Sequence, residues 1–75
     1  MTPIPKLDLI GVAWPVCLLK FKTAVNDLCA CDVLDVLTKD PDVAASIKMI
    51  IDRSADTLIS QDREGDVYRI SIRKG

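Results

Sequence analysis

Polar and apolar positions alternate and recur along the chain in a way that divides it into six segments. Leu7 and Leu9 flank Asp8 between Lys6 and Ile10, a short period-two run that stops at Gly11 and predicts a first strand. Leu18, Phe21, Val25 and Leu28 then recur at spacings of 3, 4 and 3, an apolar helical stripe, while Lys20, Lys22, Thr23, Asn26 and Asp27 cover the other side. With Pro15 suited to a first helical position, this predicts a helix from Pro15 to Leu28. Cys29–Asp32 reads as a connection, and the β-branched and apolar residues from Val33 to Thr38 as a second strand. Asp40-Pro41-Asp42 opens a second helix: an N-capping Asp, a Pro at the first position, and an acid facing the positive end of the dipole. Val43, Ile47, Ile50 and Ile51 share one face of that helix, which runs to about Ser54. Thr57 to Gln61 forms a third strand, Arg63-Glu64-Gly65-Asp66 a turn, and Tyr68, Ile70 and Ile72 alternate with Arg69, Ser71 and Arg73 in a half-buried last strand.

The order βαβαββ predicts an α/β two-layer sandwich, with two helices on one face of a four-stranded mixed sheet. At 75 residues, without repeats or linkers, the chain 1–75 is expected to be a single domain and a monomer. Ten of the eleven acids are Asp, which favours caps and turns over helix interiors and so helps to mark the element boundaries.

Composition narrows the chemistry. There is no histidine, so neither Ser-His nor Cys-His catalysis nor an imidazole metal ligand is available. The net charge of −1 argues against broad attraction to nucleic acid or anionic lipid. Charge divides along the chain: residues 1–22 carry +2, residues 23–62 carry −5 and residues 63–75 carry +2. Arg69, Arg73 and Lys74 could join Lys20 and Lys22 in a basic patch, or simply form a solvated face. The longest uncharged stretch, Leu9–Leu19, has 11 residues and is broken by Gly11 and Pro15, too short for a membrane span. Met1-Thr2-Pro3-Ile4-Pro5 lacks the layout of a signal peptide, and three cysteines suit a reducing compartment, so the expected location is cytoplasmic.

Several pieces in order resemble the TusA/SirA family of small sulfur-carrier proteins: Leu7-Asp8-Leu9-x-Gly11, the apolar helix from Pro15, Val33-Leu34-Asp35-Val36, Asp40-Pro41, and Val67-Tyr68-Arg69-Ile70-x-Ile72-Arg73-Lys74. The resemblance spans Leu7 to Lys74 and implies a βαβαββ two-layer fold. It also implies a carrier that takes persulfide sulfur from a cysteine desulfurase and passes it to a downstream sulfur-accepting protein, in tRNA thiolation or sulfur metabolism, with no cofactor and no direct nucleic-acid contact. In the family, the sulfur sits on the cysteine of a Cys-Pro-x-Pro motif just after the glycine that corresponds to Gly11. The matching residues here are Trp14-Pro15-Val16-Cys17. An indole cannot carry sulfane sulfur.

Three readings follow. Cys17, in the first helical turn, is the candidate sulfur acceptor, with the helix dipole and free N–H groups favouring its anion; alternatively it is a small buried filler. Trp14, with Lys20 nearby, is the candidate partner-binding anchor of a non-catalytic interaction module, or it folds down over the sheet edge. Cys29-x-Cys31 could hold a soft metal or cycle redox, yet two thiolates do not complete a tetrahedral site, and the plain reading is two loop cysteines without a role. Met49 lies off the apolar stripe of the second helix and is expected to be exposed.

Overall fold

The computed structural model describes residues 4–75; the Met1–Pro3 part of the N-terminal start lies outside the described residues. The order is β1 (Lys6–Asp8), α1 (Val16–Asn26), β2 (Val33–Thr38), α2 (Pro41–Asp52), β3 (Thr57–Glu64) and β4 (Val67–Arg73). The sheet runs β1-β2-β4-β3, with β1 parallel to β2 and β4 antiparallel to both its neighbours. This is the expected two-layer sandwich.

The pleat sorts the side chains. Leu34, Val36 and Thr38 of β2 pair with Ile72, Ile70 and Tyr68 of β4 on the face that meets the helices. Leu34, Val36, Ile70 and Ile72 are all buried, and they close on Cys17, Phe21 and Val25 of α1 and on Val43, Ala44, Ile47 and Ile51 of α2. A strand buried on one face and open on the other gives the alternation seen in β4.

Each boundary has a local cause. β1 ends two residues early because the Asp8 carboxylate accepts the Ile10 N–H at 2.9 Å, turning the chain, although Leu9 still donates to the Leu37 carbonyl and is buried. The Val12 N–H then donates to the Leu9 carbonyl, closing a turn in which Gly11 takes φ +79. α1 is shorter than its apolar stripe suggests. Pro15 stands at the N-cap rather than inside the helix, and Asp27 ends it. The buried line of α1 is Cys17, Phe21 and Val25, with Leu18 and Leu28 only half-buried, so the stripe is rotated toward Cys17. α2 begins as its sequence requires, the Asp40 carboxylate accepting the Asp42 N–H at 2.9 Å with Pro41 next. β3 extends three residues beyond Gln61, because the hairpin is a two-residue Gly65-Asp66 turn with Gly65 at φ +59, in the first central position where a type II′ turn places it.

Among the described residues no helix is long and apolar enough to cross a membrane.

Candidate functional site

The two parallel strands β1 and β2 both lead into helices, so the N-termini of α1 and α2 lie at one end of the sheet, beside the carboxyl ends of those strands. A groove of about 500 Å³ opens there between the loop after β1 and the loop after β2, lined by Leu9, Gly11, Val12, Asp40, Pro41 and Val43 among others. Open α/β sheets characteristically place their sites at this edge.

The loop that forms one wall runs from Gly11 to Pro15. Trp14 stands in it at 59% exposure, and the peptide bond from Trp14 to Pro15 is cis. The indole therefore reaches into solvent at the tip of α1 instead of folding over the sheet edge. No side chain caps Pro15; the Cys17 N–H is satisfied by the Ala13 carbonyl at 3.0 Å. Val16 and Leu19, one turn apart on α1, are also exposed and form a short apolar ridge. Lys20 is exposed beside that ridge and helps to line a shallow groove with Leu7, Leu19, Thr23, Ala24 and Asp27. The elements thus bring Gly11, Trp14, Pro15 and the start of α1 together at one corner.

Cys17 belongs to that corner by position and to the core by burial. Only 1% of the residue is exposed, and it sits in the cluster with Phe21 and Val25. All three cysteines are free thiols; Cys29 and Cys31 are exposed, past the opposite end of α1. No group of three or more metal-ligating side chains occurs among the described residues.

The basic side chains do not form one patch. Arg69 and Arg73 lie on the open face of the sheet, while Lys20 and Lys22 are on α1 in the other layer. Lys74 lies with Lys22 around a separate pocket near the end of α1. Met49 is 53% exposed, as its place off the apolar stripe suggests.

One arrangement escaped sequence reasoning. Asp35 points to the open face of β2 yet is only 4% exposed. Ser71 donates to its carboxylate at 2.6 Å and Arg69 at 2.8 Å, from the neighbouring strand. The hydroxyl of Ser71 and the guanidinium of Arg69 hold the Asp35 carboxyl below the usual carboxylate range, against a smaller opposing effect of burial. The signal was an acid interrupting the otherwise apolar run of β2. Its partners are 34 and 36 residues away, and only strand pairing brings them opposite.

The chain resembles the crystal structure of a SirA-like protein from Desulfitobacterium hafniense, with a TM-score of 0.80 over 93% of this chain and 96% of that one. Sequence identity is 18%, so the likeness speaks to the fold. Among curated proteins nothing matches the chain. The family described as "Sulfurtransferase TusA" matches residues 5–74, from the residue before β1 to the residue after β4. With nearly its whole length covered, this chain belongs to the TusA sulfurtransferase family.

Proposed function

We propose that this chain is a sulfur carrier that receives persulfide sulfur on Cys17 from a cysteine desulfurase and relays it to a downstream sulfur-accepting protein. The observation that carries the reading is a free thiol in the first turn of α1, three residues after Trp14, which stands where the family resemblance expects the carrier cysteine. In the transfer, the Cys17 thiolate attacks the terminal sulfur of the donor persulfide. The donor S–S bond breaks, the donor cysteine leaves as a thiolate and takes up a proton, and Cys17 becomes the hydropersulfide. Sulfur moves without net oxidation. The positive end of the α1 dipole favours both anions. The second transfer repeats the same exchange toward the acceptor, in tRNA thiolation or sulfur metabolism.

Because Cys17 is covered, its first turn must open for transfer. That opening is local: Gly11 and the segment from Ala13 to Val16 are exposed, and no side-chain cap holds Pro15. A second reading has its own observation, the contrast between Trp14 at 59% and Cys17 at 1% exposure. In it, the chain no longer moves sulfur and binds a partner through Trp14 and Lys20, since exposed Trp is a favoured interface anchor.

One measurement separates the two. A Cys29→Ser/Cys31→Ser protein is reduced, incubated with a cysteine desulfurase and cysteine, and weighed intact. The carrier reading expects a gain of one sulfur atom that disappears in the additional Cys17→Ala variant. Absence of any adduct overturns it and leaves the interaction module, for which Trp14→Ala should abolish capture of the desulfurase.

A further inference from the structure

Cys29 and Cys31 take no part in the corner just described. They lie beyond the far end of α1, in a four-residue turn from Cys29 to Asp32 closed by the Asp32 N–H donating to the Cys29 carbonyl at 3.0 Å. The Asp32 carboxylate accepts the Cys29 N–H, also at 3.0 Å. On the other side the Cys31 N–H donates to the Lys74 carbonyl at 2.9 Å and the Lys74 N–H to the Asp32 carbonyl at 2.8 Å. The turn is therefore anchored to the end of β4, while both thiols remain exposed.

Cys31 holds φ at +71, the left-handed conformation that the third position of a type II turn requires and that Gly or Asn ordinarily supplies. The backbone thus gives no reason for a cysteine there; a side chain with a Cβ costs roughly 1 kcal/mol in that region. Residues two apart cannot place their Cα atoms more than about 7 Å from one another even when extended, and a turn brings them closer, into the span of roughly 4.4–6.8 Å that a disulfide bridges.

We propose that Cys29 and Cys31 form a dithiol–disulfide couple that reduces small organic disulfides. One thiolate attacks a sulfur of R–S–S–R, the S–S bond breaks, and the first R–SH leaves, giving a mixed disulfide on the protein. The second thiolate attacks the protein sulfur of that mixed disulfide, expels the second R–SH and closes the Cys29–Cys31 bond. Two electrons pass from the two protein thiols to the disulfide, and their two protons end on the two R–SH products. A small dithiol resets the couple. Closure outruns capture of a second R–S–S–R because the second thiol is held within the same turn. Cys17 sits at the opposite end of α1 and is no part of the couple.

The test uses the full-length Cys17→Ala protein, reduced and then exposed to oxidised glutathione, with intact mass and alkylation as readouts. The expected result is a loss of two hydrogens with Cys29 and Cys31 protected together, the closed form exceeding the singly glutathionylated form by about tenfold or more. Cys29→Ser and Cys31→Ser should each stop at one glutathione, released by dithiothreitol. Accumulation of glutathione adducts on the two-thiol protein, disulfide-linked dimers, or thiols left unreacted would each overturn the proposal. So would zinc retained at the pair with no disulfide formed. Because Cys17 is absent from this protein and the pair is absent from the carrier assay, failure of one experiment leaves the other standing.

Discussion

At the scale of single residues, the three cysteines are three different environments. Cys17 fills a place in the core, so Cys17→Ala should keep the fold at a cost of about 1–2 kcal/mol, whereas Cys17→Ser buries a hydroxyl among apolar neighbours and should cost more, about 2–3 kcal/mol. Chemical denaturation of the two variants checks the order. Cys31 pays for its left-handed backbone, so Cys31→Gly should raise stability by about 1 kcal/mol and Cys31→Val should lower it. Equal midpoints for Cys31→Gly and the parent would contradict the turn geometry. At the candidate corner, order and spacing marked Gly11 as the end of the first strand and Pro15 as the start of α1, but left Trp14 open between solvent and the sheet edge; the fold puts Gly11 at positive φ and Trp14 in solvent. Spacing pointed to the burial of Cys17 without settling it. The i+4 relation to Phe21 hinted at it, but the Leu18 stripe pointed one residue away, and the packing of α1 against β2 and β4 decided it.

At the scale of elements, the two helices begin in different ways. α2 has its Asp40 cap, a Pro41 start and an acid in its first turn, and each of these is readable in the sequence. α1 has Pro15 at its N-cap with no side-chain bond. Asp40→Ala should therefore cost about 1 kcal/mol, and amide exchange should be faster through the first turn of α1 than through that of α2. The opposite order of protection would remove the local opening on which access to Cys17 depends. The strands show the same division. The period-two pattern located β4 and β2, but β3 ran three residues past its apolar part, because its later residues are held by pairing with β4 rather than by burial. Arg63 illustrates this: it is polar, turn-like in sequence, yet paired with Tyr68 and lying over its ring at 5.5 Å.

At the scale of the whole molecule, the sheet has a helix-covered face and an open one, and the open face carries its own buried acid. The Asp35 carboxyl has its folded-state pKa lowered, so its bonds stabilise the protein above the unfolded carboxyl pKa of about 4 and are lost as pH falls through the lower folded value. Stability should accordingly drop on acidification below about pH 4, and Asp35→Asn should flatten that part of the profile. Ser71→Ala, removing the first of the two donors, should cost about 1–2 kcal/mol at neutral pH. An unchanged acid profile in Asp35→Asn would assign the loss to other carboxylates. Element order, the two-layer class and the corner where Gly11, Trp14 and Pro15 meet were readable along the chain, since these follow from periodicity, caps and turns that act over a few residues. Folding divided the basic residues between two layers, satisfied Asp35 from β4, and chose the closed reading of Cys17 over the open one. Those outcomes depend on which residues strand pairing and helix packing bring together across the fold, and no local pattern encodes them.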